Sequence, residues 1–289
     1  MSGSPVLGVE ATGVGTQAVL VRDGEVLNRI TDGPLDVLLD PHAFDRLVSL
    51  IKESGASAVG LGLAGLQRAR DVQLLEAQLR AKTGVAVTVA DDAEVAQLGA
   101  FNGGPGIVVI AHTGSNAFGR DAAGRAARAG GMGHIVGDEG SHYWIAARAI
   151  RLAIASRDGR GVKSAALEHA VTGAYGLSLD ALMCQVTEAS ADSSLIARLA
   201  RTVMSLQDPI MQGVLDEAAA DLVAHVHALR SRLGELPVAM YGSVFQHPYV
   251  RQRFMAATGA VDAAATPIYG AVLLATAGFG ARDMGWYDD

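Results

Sequence analysis

The residues best suited to chemistry lie in the run GGMGHIVGDEGSHYWI, which ends at Ile145. Its glycines permit backbone with φ > 0 and close approach to another group, because no Cβ stands in the way. The acidic pair Asp138-Glu139 sits between Gly137 and Gly140-Ser141, just before residues at helical spacing (Trp144, Ala147, Ile150, Ile154). Carboxylates there either serve a helix start, where the dipole favours them, or face a bound molecule. A second acidic pair, Asp91-Asp92, falls where a strand gives way to a helix. Sheets of α/β proteins collect ligands at such carboxyl ends, and a carboxylate there could take the proton of a substrate hydroxyl. Helix capping is the competing use of the dipeptide. Two links, Thr12-Gly13 and Thr113-Gly114-Ser115, each join two strand-like runs. Turn amides and a hydroxyl brought to one point can hold phosphate without dedicated cations.

The elements that position these groups read as an α/β chain. Strands are expected at Val6–Val9 and Ala18–Val21, followed by a hairpin turn at Arg22-Asp23-Gly24-Glu25. The same plan returns a hundred residues later, with strands at Ile107–Ile110 and Asn116–Gly119 and turn residues Arg120-Asp121 and Gly124-Arg125. This repetition suggests a duplicated fold whose halves face each other across a cleft. Between the units, Asp40-Pro41 opens a helix carrying Phe44, Leu47, Val48 and Ile51 on one face, with Gly55 after its end. Val59–Leu63 and Val85–Val89 read as strands, the latter followed by a helix from Asp92 to Phe101. The stretch from Gly140 to Leu233 is mostly helical; its clearest helix starts at Asp208-Pro209 and stops at Gly234. A strand (Val238–Tyr241), a Gly-Ser turn, a helix from Pro248 and a final helix after Pro267 complete the chain.

Composition narrows the function. The 289 residues suffice for two lobes, and a net charge of −7 disfavours a nucleic-acid surface. The one cysteine, Cys184, excludes a disulfide framework or a multi-cysteine metal site within one chain, and reads as a small core residue. The longest apolar stretch, Ile268–Ala281, is shorter than the roughly 20 residues of a membrane span and is broken by glycines. No signal peptide is recognisable before Val6, so a cytoplasmic location is the expectation.

Taken in order, the motifs resemble the N-acetylglucosamine kinase and BadF/BadG-type ATPase family, within the actin, hexokinase and Hsp70 fold group. GVEATGVGTQAVLV from Gly8 resembles a first phosphate hairpin, and IAHTGSNAFG from Ile110 a second. VGLGLAG from Val59 and DDAEVAQLGA from Asp91 are similar to two further family motifs. The glycine-rich run resembles G-G-W-G-x-x-x-G-D-E-G-S-x-Y-W-I, YGSVFQ from Tyr241 the adenosine turn, and PIYGAVLLA from Pro267 the closing helix.

The resemblance implies an actin-like, ribonuclease H-like fold with a nucleotide cleft between an N-terminal lobe (1–105) and a C-terminal lobe (106–289), the last helix able to pack back on the first. It further implies transfer of a phosphoryl group from ATP·Mg²⁺ to a hydroxyl of an amino sugar, in a homodimer, with no nucleic-acid or membrane partner. Asp92 would be the general base. Thr12, Gly13, Thr16, Thr113, Gly114 and Ser115 would bind phosphate, with Gly242 and Ser243 against the nucleotide. Asp36, Thr113, Gly131, Gly133 and Asp138 would bind the sugar, and Glu10 would hold Mg²⁺ through water.

Several positions depart from the family pattern. Glu10 stands for Asp, Val14 for Thr and Gly15 for Lys, which removes a positive charge beside the phosphates. His112 and Ser243 each replace Gly, Met132 replaces Trp, and His142 occupies a place where a small residue is usual. The eroded first hairpin raises an alternative, a sugar- or nucleotide-binding relative with weakened catalysis. Cys184 alone argues against the family's iron–sulfur dehydratase activators. Leu35-Asp36 stands for Ser-Asn, and an ionised Asp36 facing the pocket would favour a sugar presenting donors, such as a free amine.

Overall fold

A computed structural model describes residues 3–12, 15–35, 37, 40, 42–66, 69–188 and 193–277. The first sheet is built from β1 (Val6–Thr12), β2 (Gly15–Arg22), β3 (Glu25–Asp32), β4 (Ala58–Leu63) and β5 (Ala86–Asp91), with α1 (Ala43–Ser54), α2 (Ala69–Thr83) and α3 (Asp92–Ala100) interspersed. Next come β6 (Gly106–Ala111), β7 (Ser115–Arg120) and β8 (Ala126–Gly130). Helices α4 (His142–Asp158), α5 (Ala165–Tyr175), α6 (Leu179–Glu188), α7 (Ser193–Ala197), α8 (Ala200–Met204) and α9 (Pro209–Leu233) follow. The chain then runs through β9 (Val238–Tyr241), α10 (Pro248–Thr258), β10 (Val261–Asp262) and α11 (Pro267–Ala277).

The sheets have orders β3-β2-β1-β4-β5 and β8-β7-β6-β9-β10, the same plan twice. The α/β class and the duplicated, two-lobed core expected from the sequence are therefore present. By contacts the chain divides into one compact unit of Met1–Val108, Phe118–Ala127 and Asp262–Asp289, and another of Val109–Ala117 and Arg128–Val261.

In the first unit β1, β4 and β5 run parallel, with Ala11 opposite Leu63 and Leu63 opposite Asp91. Their carboxyl ends are thus in register, and the apolar residues before them (Val9, Leu61, Val89) are buried. Helix α11 lies against this sheet and α3. That approach is permitted by glycine: a Cβ at Gly60 would enter the Ala271 carbonyl, and one at Gly270 the Val95 carbonyl. Burial of Val95, Leu98, Ala271 and Leu274 fixes α3, and with it the residue at its start.

In the second unit α9 is set by its ends, as the sequence indicates. Asp208 Oδ1 accepts the Ile210 N–H at 2.7 Å, Pro209 takes the first position and Gly234 follows the last turn. Its apolar face, Met211 to Leu233, is buried.

Two expectations need correction. Helix α1 begins at Ala43 rather than at Asp40-Pro41, because Asp40 Oδ1 takes the His42 N–H at 2.9 Å in a turn ahead of the helix; Pro41 lies outside the described residues. Cys184 is exposed. Leu179 and Leu182 bury the inner face of α6, and Cys184, two positions beyond Leu182, falls about 200° further round.

Candidate active site

The first unit contributes carboxylates. Asp91 and Asp92 divide the two uses open to the dipeptide: Asp91, 1% exposed, caps α3 by accepting the Glu94 N–H at 2.8 Å. Asp92 is the first helical residue; its Oδ1 accepts the adjacent Ala93 N–H at 2.9 Å, and its own N–H also bears on the carboxylate. Burial pushes the Asp92 carboxyl above its usual pKa. Glu10 lies on β1 opposite Gly62 of the neighbouring strand. Burial, and then the charge of Asp92, raise its pKa to about 7. Among the described residues nothing hydrogen-bonds the Glu10 carboxylate. Two acidic groups with little structural duty therefore share the carboxyl ends of parallel strands.

The hairpin hydroxyls are used internally. Thr12 Oγ1 donates to the Gly15 carbonyl at 3.2 Å, across the β1–β2 turn. Thr16, 3% exposed, donates to the Gly33 carbonyl at 2.9 Å. The Thr16 hydroxyl thus anchors β2 to the end of β3, and its expected role toward phosphate stays a proposal. Gly13 and Asp36, two further expected site residues, lie outside the described residues.

The second unit gathers the remaining expected residues around the link Thr113-Gly114-Ser115. The His112 carbonyl accepts the His142 N–H at 2.9 Å, and the Thr113 carbonyl accepts the Tyr143 N–H at 3.1 Å. These bonds satisfy N–H groups of the first turn of α4, which would otherwise be orphans. With those carbonyls committed, the Thr113 and Gly114 amides have no acceptor among the described residues. Backbone amides so left form an anion-binding nest.

Asp138 closes this link. It adopts the left-handed conformation at φ 59°, and its Oδ1 accepts the Ser115 N–H at 3.3 Å. Ser115 Oγ donates to the Glu139 carbonyl at 2.6 Å, and the Gly131 N–H to the Ser115 carbonyl at 3.1 Å. A methyl at Gly114 would stand 2.8 Å from Asp138 Oδ2. Neither Asp138 nor Glu139 caps α4: Ser141 does, accepting the Trp144 N–H at 3.1 Å. Burial raises the Asp138 pKa while the Ser115 N–H lowers it. Gly133 accepts the Gly137 N–H at 2.9 Å, at φ 78°, with open space where its side chain would be.

Gly242 and Ser243 follow β9. Gly242 has φ 124°, and any Cβ there would meet the Ala111 backbone. His112 Nδ1 accepts the Ser243 N–H at 3.1 Å. The sequence marked His112 and Ser243 separately as departures; nothing in it paired residues 131 positions apart. It also missed His225, whose Nε2 lies beside Gly130; one of two His residues on a long helix, it carries no signal of that contact.

Comparisons with known proteins find relatives described as sugar kinases. A curated N-acetylmuramic acid/N-acetylglucosamine kinase from Clostridium acetobutylicum is 38% identical over 178 residues, 60% of this chain and 58% of that protein. That match thus spans less than two thirds of the relative's length. A structure assigned as an N-acetylglucosamine kinase from Chromobacterium violaceum has a TM-score of 0.78 at 30% identity, covering 94% of this chain and 98% of that one. A ROK family glucokinase from Streptomyces griseus, solved with glucose and AMPPNP, shares the fold with a TM-score of 0.57 at 16% identity, over 94% and 99% of the two chains. Residues 8–275 match one family directly, and the chain belongs to it: the BadF/BadG/BcrA/BcrD ATPase family.

Proposed function

We infer that the protein is an ATP-dependent sugar kinase that transfers the γ-phosphoryl group to a hydroxyl of an amino sugar, N-acetylglucosamine or glucosamine. The observation that carries this reading is the division of labour at Asp91-Asp92. One carboxylate builds the helix, which leaves the other poised beside Glu10 at the strand ends. Asp92 acts as general base toward the sugar hydroxyl once it is ionised. The Thr113 and Gly114 amides receive phosphate oxygens, and Gly242-Ser243 lies against the nucleotide. Phosphoryl transfer asks little covalent chemistry of a protein, so positioning and charge stabilisation are what these groups supply. Asp138, Gly131 and Gly133 face the sugar, and Asp36 would be a further contact if it faces the pocket.

The donor set fits Mg²⁺. Among the described residues no group of three or more His, Cys, Asp or Glu gathers, whereas Mg²⁺ commonly takes one or two carboxylates and completes its shell with water and phosphate oxygens. Glu10 would hold the ion through water, with Asp92 nearby, and the ion would neutralise charge developing on the phosphates. Among the described residues Glu10 has no hydrogen-bond partner, and burial, then the charge of Asp92, push it toward neutrality, as expected of a carboxylate awaiting a cation. Among the described residues no helix is long and apolar enough to cross a membrane. Use of ATP and a lone cysteine fit a cytoplasmic enzyme, and the family resemblance supports a homodimer.

The test is ADP release with ATP·Mg²⁺ against a panel of hexoses and amino sugars, with Asp92→Asn in parallel. Sugar-dependent turnover abolished by Asp92→Asn is the expected result. Turnover that is independent of sugar, or unchanged in the variant, overturns the reading. Within the panel, glucosamine preferred to N-acetylglucosamine would support Asp36 as a specificity residue; a clear preference for the acetylated sugar removes that role.

A further inference from the structure

Two of the chain's departures from its family pattern meet in space. His112 Nδ1 accepts the Ser243 backbone N–H at 3.1 Å and lies 3.2 Å from Ser243 Oγ. The edge of its ring meets Tyr241, with centroids 5.3 Å apart and planes at 82°. Gly at both positions, as the family pattern has it, would supply neither the ring nor the hydroxyl. The backbone on either side is already fixed: the His112 N–H donates to the Gly114 carbonyl at 2.8 Å, and Gly242 is held against Ala111. One imidazole therefore spans the link proposed to take phosphate and the turn proposed to take the nucleotide.

We propose that His112 is a positioning residue that clamps the Gly242-Ser243 turn to the Thr113-Gly114-Ser115 link, and that the clamp holds only while the imidazole is neutral. The proposal rests on the nucleotide reading of these two turns. Accepting an amide N–H requires a lone pair on Nδ1, so the ring proton sits on Nε2. Protonation would place a second N–H at Nδ1, facing the Ser243 N–H, and the bond would become a donor–donor contact. The surroundings disfavour that charge. Burial lowers the His112 pKa from its usual value. Among the described residues the groups found against the ring are Tyr241 at the end of β9, Ser243 after it and His142 at the start of α4, with Arg201 of α8 acting on His142 in turn, and none of these is a carboxylate. His142 is itself held to a pKa of about 4, by burial first, so it is neutral between pH 5.5 and 8.

The clamp restricts the turn proposed to meet the nucleotide, so its loss should register on ATP more than on sugar. The experiment compares wild type, His112→Ala and His112→Asn by steady-state kinetics between pH 5.5 and 8, with melting temperatures measured alongside. Asn can present Oδ1 where His presents Nδ1, but it cannot titrate. His112→Ala should raise the KM for ATP·Mg²⁺ by about fivefold to tenfold, the scale of one lost hydrogen bond, and leave the KM for sugar within twofold. His112→Asn should recover most of that loss. It should also reduce the rise in ATP KM expected as the pH falls toward 5.5, leaving the part that follows Glu10. An unchanged ATP KM in a folded His112→Ala protein overturns the clamp, and so does an acid rise as large in His112→Asn as in wild type. Absence of any sugar-dependent turnover in wild type would count against the kinase reading instead. Calorimetric binding of ATP·Mg²⁺ to the same three proteins then decides the clamp by the same ratios.

Discussion

Asp91 and Asp92 are adjacent in the chain and opposed in use: the Asp91 carboxylate is bound into the start of α3, while that of Asp92 takes the N–H of its neighbour Ala93. The cause is the abrupt change from strand to helix at this point. Asp91 is still extended, at ψ 168°, so its side chain folds over the first helical turn to reach the Glu94 N–H. Asp92 has entered the helix, and a side chain at the first helical position cannot cap its own turn.

Asp91→Ala and Asp92→Asn should therefore fail in different ways. Loss of the cap costs about 1 kcal/mol of stability, seen as a lower midpoint in denaturant unfolding, with much of kcat retained. Asp92→Asn removes a buried group that repels Glu10, so it should fold at least as stably as wild type while kcat falls by about 10² or more. A stable Asp92→Asn enzyme with normal turnover would remove Asp92 from the chemistry.

The elevated pKa of Glu10 makes a prediction about stability. Burial, then the charge of Asp92, raise the Glu10 pKa to about 7 in the folded protein, against its ordinary 4.5. Between those values the folded state binds more protons than the unfolded one, so stability falls as the pH rises through this window. Wild type without nucleotide should melt at progressively lower temperature from pH 5 to 7.5, and Glu10→Gln should flatten that part of the curve. ATP·Mg²⁺ should raise the melting temperature most at the alkaline end, where the carboxylate is charged. The activity has the opposite sense: a base must be ionised, so kcat/KM should rise with pH along an acid limb that Asp92 shifts above the ordinary carboxylate range.

Much of the fold was legible because its elements announce themselves locally. Val59–Leu63 is an uninterrupted apolar run in a buried parallel strand, and Asp208-Pro209 with Gly234 brackets α9. The site was legible as a list of positions rather than as contacts. Whether Asp91 or Asp92 caps α3 depends on one ψ angle, which two identical side chains cannot disclose. The acidic pair Asp138-Glu139 sits just before a helix, yet Ser141 performs the capping and Asp138 turns to Ser115, 23 residues earlier. Composition also misplaced Cys184, since burial on α6 is decided by helical phase rather than by residue type.

The contact between Asp138 and Ser115 can be tested through the sugar. Asp138→Ala leaves the Ser115 N–H without its acceptor and removes the carboxylate proposed to meet sugar hydroxyls. A hydrogen bond to a charged group contributes about 1.5–3 kcal/mol, so kcat/KM for the sugar should fall by about 10- to 150-fold. The KM for ATP should change much less. If both substrates weaken equally, Asp138 organises the whole link rather than contacting the sugar.

Two glycines with positive φ separate structural need from ligand space. Gly242, at φ 124°, has the Ala111 backbone where a Cβ would go. Gly242→Ala combines backbone strain with an overlap that neither side can relieve by changing rotamer, so it should cost about 3 kcal/mol or more and abolish nucleotide binding. Gly133, at φ 78°, faces open space, and Gly133→Ala carries only the left-handed penalty of about 1–2 kcal/mol. If sugar occupies that space, Gly133→Ala should raise the sugar KM by tenfold or more, about the loss of one well-formed contact, while the protein melts only a few degrees lower. A sugar KM unchanged in Gly133→Ala would show that the space is solvent and that the sugar contacts begin at Gly131 and Asp138.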